Sequence, residues 1–149
     1  MAAEYSAIAD QEVLPNSGIV FTETGVPCNC GLVYHKDGSS LFRVANKFFR
    51  QNVNSCWRRN THYNVTFHAN IAVPEGQTVG PISLAIAVDG EVDPSTIMTV
   101  TPAAVSEFFN VGADTIINVP YLCGCSSVSV RNVSTIPVTV QSANITFEN

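Results

Sequence analysis

The sequence predicts an all-β fold, a sandwich or barrel of about nine or ten strands, and three observations carry that expectation. The first is the aliphatic bias: 20 Val and 10 Ile stand against 5 Leu, and side chains stiff at χ1 suit a pleated surface. The second is strict alternation over residues 62–73, where Tyr63, Val65, Phe67, Ala69, Ile71 and Val73 interleave with His62, Asn64, Thr66, His68 and Asn70. That period of two gives one long strand with a dry face and a polar face. The third is the spacing of turn signals, one roughly every ten residues along the chain.

In order, residues 1–15 are polar and acidic and read as an N-terminal arm, and residues 16–149 read as one domain. Strands are expected at 18–23, 32–35 and 40–45, with Asp37-Gly38 turning between the last two. The long strand at 62–73 ends at Pro74-Glu75-Gly76, where proline presets φ and glycine relaxes the steric limit. Residues 82–88 carry Ile82, Leu84, Ile86 and Val88 on one face but Ala85 and Ala87 on the other, so this strand should be covered on both sides. Asp89-Gly90 turns the chain, and 96–100 is the next strand. The stretch TPAAVSEFF at 101–109 is ambiguous: Thr101 at N-cap and Pro102 at N1 would start a helix. The alternation of Val105, Glu107, Phe109 and Val111 favours a strand or short turn. Strands at 114–119, 127–131 and 137–147 complete the series. In the last, Val138 and Val140 have one parity and Ala143, Ile145 and Phe147 the other, so a bulge is expected near Gln141 or Ser142.

Charged residues make up 13% of the chain, about half the roughly 25% usual in soluble domains. They are also segregated. Residues 36–59 sum to +5, residues 1–35 to -4, and residues 60–149 to -6, giving the net -5. A net acidic chain argues against nucleic acid as a partner. The apolar runs are too short for a helical membrane span, and the acidic, polar opening lacks the pattern of an export signal. The basic segment neutralises acidic neighbours within the fold, docks on an acidic partner surface, with Arg43, Lys47, Arg50, Arg58 and Arg59 as candidate docking residues, or, as the least favoured of the three readings, touches nucleic acid.

Residues that could carry chemistry are sparse. Five cysteines occur as Cys28-Asn29-Cys30, Cys56 and Cys123-Gly124-Cys125. Free thiols, disulfides, or a metal held by Cys28, Cys30, Cys123 and Cys125 are the alternatives, the last at a spacing that structural zinc sites do not favour. His62 and His68 share a strand face about 20 Å apart, too far to bind one metal. Asp89, Glu91 and Asp93 miss the EF-hand pattern. The sequons at Asn64, Asn132 and Asn144 occur at the frequency chance predicts. Trp57 beside Arg58 and Arg59 reads as packing. No nucleophile elbow, zinc-protease motif or phosphate loop is present, so neither an enzymatic activity nor a cofactor is expected.

The phrases IAVDGE, TPAAVSEFFNV, VPYLCGC and SVRNVST, with PNSGIVFTETGVPCNCGLVYHKDGSSLFRVAN and FHANIAVPEGQTVG upstream, resemble the small jelly-roll proteins of tailed-phage and prophage structural genes. More loosely they are similar to the globular heads of collagen-like exosporium proteins, which have the tumour necrosis factor and C1q type of jelly roll. The resemblance covers about residues 13–147. It implies a homotrimeric antiparallel jelly roll displayed on a virion, as a capsid decoration or head-fibre element made in the bacterial cytoplasm. Its partners would be further copies of itself and the major capsid protein or other virion proteins. No catalytic residue comes with it, and this sequence lacks a Gly-x-y stalk. In such a trimer a neutral sheet face is buried between copies; Ala85, Ala87, Phe108 and Phe109 are the candidate interface residues. The alternative reading is a module that binds a surface glycan through Tyr121, Trp57 and the cluster from Asp89 to Asp93.

Overall fold

The computed structural model describes residues 1–28, 30–48, 59–122 and 124–149. In chain order the strands are β1 (Ala2–Ala7), β2 (Gln11–Val13), β3 (Glu23–Val26), β4 (Val33–His35), β5 (Phe42–Ala45), β6 (Thr61–Ala72), β7 (Ile82–Val88), β8 (Glu91–Val92), β9 (Met98–Val100), β10 (Phe109–Val119), β11 (Cys125–Asn132) and β12 (Val138–Glu148). They form two six-stranded antiparallel sheets. One runs β10-β6-β12-β1-β3, with β2 beside β12; the other runs β4-β5-β11-β7-β8, with β9 beside β7. The inward residues of both sheets form one core that includes Tyr5, Phe21, Phe42, Tyr63, Phe67, Ile86 and Phe147. Among the described residues no helix is long and apolar enough to cross a membrane.

The long alternating strand is β6, its odd residues buried and its even residues from His62 to His68 exposed. It lies between β10 and β12 and pairs with β10 along eleven residues. The bulge in β12 falls where the phase change puts it. Register shifts between Gln141 and Asn144, and Ser142 takes a φ of 54°, which turns the following residues onto the opposite parity. Strand β7 is covered on both faces, Ala85 and Ala87 being 0% and 1% exposed. Asp89 and Gly90 adopt φ of 51° and 83°, the left-handed pair that a tight hairpin turn requires.

Two expectations are corrected. Residues 1–15 are not an arm: β1 pairs with β12 from Ala2↔Glu148 to Ala7↔Ala143, and Ala3, Tyr5 and Ala7 are buried. The acidic content of this segment hid a period of two in which Ala3, Tyr5 and Ala7 turn inward. Residues 18–23 form no regular strand, because their hydrogen bonds go to both sheets in turn. The Ile19 N–H donates to Val130 and the Thr22 N–H to Ser6, while the Gln11 side chain bonds both backbone groups of Val20. A Cβ at Gly18 would sit 2.8 Å from that of Ser40, so this crossing needs glycine. The ambiguous stretch takes the shorter of its two favoured forms: 101–108 is a turn. Glu107 accepts from the Ala103 and Ala104 N–H groups, Ser106 has a φ of 58°, and the extended chain resumes at Phe109.

Tyr63 shows how the core responds to alkali. Its side chain is fully buried and its O–H donates to the Ala45 carbonyl. Burial, with the nearby Cys28 and Cys30 thiols, pushes its pKa up to about 12 from the ordinary 10.0. A raised folded value favours the neutral phenol, so its contribution is complete below pH 10 and is lost between pH 10 and 12. The expected loss is about 3 kcal/mol across that window. Urea unfolding at successive pH values should show it in the wild type and a much shallower decline in Tyr63→Phe.

Candidate interaction face

The sheet order places the exposed face of β6 at the centre of a broad surface. Ile116 lies opposite Asn64, Asp114 opposite Thr66, and Asn118 opposite His62 on β10. On the other side, Glu148 lies opposite Asn64, Thr146 opposite Thr66, and Asn144 opposite His68. Glu4 of β1 extends the face beyond Thr146. None of these outward positions on β6, β10, β12 or β1 is Lys or Arg. The face is made of amides and hydroxyls, with the carboxylates of Glu4, Asp114 and Glu148 and the imidazoles of His62 and His68.

Ile116 is the exception, an apolar side chain 68% exposed in the middle of this polar surface. Two shallow hollows flank it. One, of 570 Å³, is lined by Asn64, Thr66, Asp114, Ile116 and Glu148 among others. The other, of 390 Å³, is bounded by His62, Asn64, Ile116, Glu148 and Asn149. Hydrogen bonds between side chains hold the surface still: Asn110 Nδ2 donates to Asn70 Oδ1 at 3.2 Å and Asn144 Nδ2 to Glu4 Oε1 at 3.0 Å. Each ties two neighbouring strands, β10 to β6 and β12 to β1. The sequence signal for Ile116 is its neighbour: Ile116-Ile117 on one strand requires that one of the two face outward.

The residues expected to form the trimer contact do not share a face. Ala85 and Ala87 lie on β7 in the other sheet and are buried within the chain itself. Arg131, opposite Ala85, donates to the Gly90 carbonyl at 3.1 Å. Phe108 and Phe109 are 39% and 37% exposed at the start of β10. Small size alone does not mark a contact face, because the fold can bury alanine within one chain.

The basic candidates are divided too. Arg43 is exposed on the outer side of β5, whereas Lys47 and Arg59 lie near the ring of Phe48 at 5.2 and 6.0 Å. Lys47 Nζ also donates to Asn149 Oδ1 at 3.2 Å, so this cluster borders the end of the face around Ile116. Arg50, Arg58, Trp57 and Cys56 lie outside the described residues.

The acidic cluster has structural work. Asp89 accepts from the Ser127 N–H. Asp93 caps the 3-10 turn Pro94–Thr96 through Ser95 and accepts from Thr115 Oγ1; hydrogen bonds to Ser95 hold its carboxyl below the usual value. Asn132 is fully buried, so the sequon there is a core residue. His35 stacks on Phe42 at 4.2 Å, with its ring nitrogens 3.1 and 3.0 Å from the Leu41 and Phe21 carbonyls.

A third, open groove of 330 Å³ lies by β4, lined by Tyr5, Thr24, Pro27, Cys28, Val33, Tyr34, His35 and Asp37. Tyr34 is 65% exposed on its rim. Cys28 and Cys30 adjoin each other there, and Cys125 is exposed on β11. Cys123 lies outside the described residues, and among those described no three His, Cys, Asp or Glu side chains converge as a metal site.

Along its full length the chain is similar to one solved structure, the Eiger tumour necrosis factor of S. frugiperda, with a TM-score of 0.64 over 100% of this chain and 92% of that one, at 9% identity. The fold is that of a tumour-necrosis-factor-like jelly roll. Pika GITRL is similar over 97% of this chain and 94% of its own, with 12% identity and a TM-score of 0.46. A family 35 carbohydrate-binding module from Clostridium thermocellum covers 97% of each chain at 13% identity and a TM-score of 0.37. No family model matches the sequence, and no curated protein does.

Proposed function

We propose that this tumour-necrosis-factor-like jelly roll is a non-enzymatic structural head that assembles as a homotrimer and serves as a capsid decoration or head-fibre subunit of a tailed-phage particle. The observation that carries the assembly is the face around Ile116. It exposes an isoleucine between two hollows and has no Lys or Arg at its outward positions. Its carboxylates and imidazoles sit at different places on the sheet, so a rotated copy can set one kind against the other without stranding charge. The particle setting is supported by the sequence resemblance over residues 13–147. The Lys47–Phe48–Arg59 cluster at the end of the face supplies the basic edge for an acidic capsid surface.

Light scattering at micromolar concentration tests the assembly. The wild type should be a trimer. Ile116→Glu adds a third carboxylate beside Asp114 and Glu148 and should weaken association by about a hundredfold or more, with the far-ultraviolet circular dichroism unchanged. A wild-type monomer, or a trimer indifferent to Ile116→Glu, overturns the proposed face. Particle incorporation that survives charge reversal at Lys47 and Arg59 removes the basic edge.

A second reading, glycan recognition, is favoured by one observation: the exposed Tyr34 ring stands over an open groove that contains Asp37 and His35, an arrangement suited to stacking and hydrogen-bonding a sugar. A glycan array on which wild type and Tyr34→Ala are equally silent removes it.

A further inference from the structure

The groove by β4 contains chemistry that neither reading uses. Cys28 and Cys30 bring their sulfurs to 2.6 Å of each other, although the segment between β3 and β4 has no disulfide partner elsewhere among the described residues. Gly31, with a φ of +70°, turns the chain immediately after the pair. Backbone N–H groups of Val33, Cys30 and Leu32 add to the Cys30 thiol in favouring the anionic Cys28 sulfur, a small cradle of amides of the kind that holds anions. Burial pushes the Cys28 thiol up, but the hydrogen bonds from Cys30 and from those three N–H groups outweigh it and hold the thiol below its ordinary value. Cys28 lines the open groove and Cys30 is exposed, so a small molecule can reach the pair from solvent.

We propose that Cys28 and Cys30 form a thiol–disulfide exchange site for low-molecular-weight disulfides of the glutathione type, with Cys28 as the attacking thiolate and Cys30 as the resolving thiol. Cys28 Sγ⁻ attacks one sulfur of the incoming disulfide; its S–S bond breaks, and one thiolate leaves and takes a proton from water. A mixed disulfide remains on Cys28. Cys30 then loses its proton to solvent and attacks Cys28 Sγ, expelling the second thiolate. The dithiol has given up two electrons and two protons, and the small disulfide has become two thiols. The amide cradle stabilises the negative sulfur at the start, and the short sulfur–sulfur separation makes the second step intramolecular.

The sequence offers a clean assay. Trypsin releases residues 1–36, because Lys36 is the first basic residue, and this peptide holds Cys28 and Cys30 and no other cysteine. The full chain is equilibrated with oxidised and reduced glutathione, quenched with acid, alkylated and digested. Under oxidising buffer the peptide should be lighter by two hydrogen atoms and carry no alkyl group; under reducing buffer it should carry two. Cys30→Ser should stop at one glutathionyl group on Cys28, and its fold can be checked by circular dichroism. Oxidation of the native chain should be about tenfold faster than in urea, where the cradle is absent. The proposal is overturned by a peptide that keeps two alkyl groups in oxidising buffer, by its linkage to peptides carrying Cys56, Cys123 or Cys125, by a Cys30→Ser chain that acquires no adduct, or by equal rates in native buffer and urea.

Discussion

Phe42→Ala is expected to lower the free energy of unfolding by about 4 kcal/mol. Phe42 is fully buried and belongs to β5, yet its ring meets Tyr5 at 5.0 Å and Phe147 at 5.1 Å from the opposite sheet. It also lies 5.2 Å from Phe21 and stacks on His35. Removing the ring leaves a cavity between two hydrogen-bonded sheets, which cannot move together to fill it because their strands are fixed by their own ladders. Urea unfolding monitored by circular dichroism measures the loss. Phe42→Leu, which fills most of the volume, should cost much less, and a Phe42→Ala loss below about 1.5 kcal/mol would show that the sheets do collapse onto the gap.

The second large effect is at Asn132, where Asn132→Ala should cost about 3 kcal/mol or more. Its buried Nδ2 donates to the Val13 and Ile136 carbonyls, both at 2.9 Å. Its Oδ1 accepts from the Ser134 N–H at 2.9 Å and from the Ser134 hydroxyl. One amide thus joins β2 of one sheet, the end of β11 in the other, and the turn into β12. Alanine strands the Val13 carbonyl in a buried position and leaves the half-buried Ile136 carbonyl and Ser134 N–H without this partner. Asn132→Asp is the sharper test: the carboxylate accepts but cannot donate, so both carbonyls face a buried negative charge and the loss should exceed that of alanine at neutral pH. A loss no greater than that of alanine would show that water enters this corner.

The legible parts of the fold are those in which a residue's environment repeats. Strand β6 has core on one side and open surface on the other along its length, so its composition records the alternation residue by residue. The bulge in β12 was legible for the same reason, since the parity of its buried residues changes and a backbone irregularity must absorb the change. Segment 18–23 was not legible as it stands in the fold. Its apolar residues are buried, but its backbone bonds go first to one sheet and then to the other, and side-chain patterns do not encode that alternation. Strand β1 was obscured by its charge, because Glu4 sits on the outward face beside Asn144 while Tyr5 enters the core.

The candidate sites divide similarly. Pairing Cys28 with Cys30 on the basis of sequence spacing stops at three chemical alternatives; the positive φ of Gly31 and the three N–H groups around one sulfur distinguish the two thiols from each other. Ala85 and Ala87 were marked as contact residues by their size, whereas the fold buries both within the chain. Asp93 had the look of a ligand, and its partners Ser95 and Thr115 make it a cap and a strand-to-turn tie.

The sequence by itself determined that this chain is a β protein with a low, segregated charge and a long two-faced central strand, because these properties are summed or periodic along the chain. Only the tertiary structure decided which neutral face is left open, which alanines are already covered, and which thiol is held by backbone amides. Each of those depends on what stands opposite across a sheet or around a turn, and residues distant in sequence, such as Asn64, Ile116 and Glu148, become one surface only when the strand order is fixed.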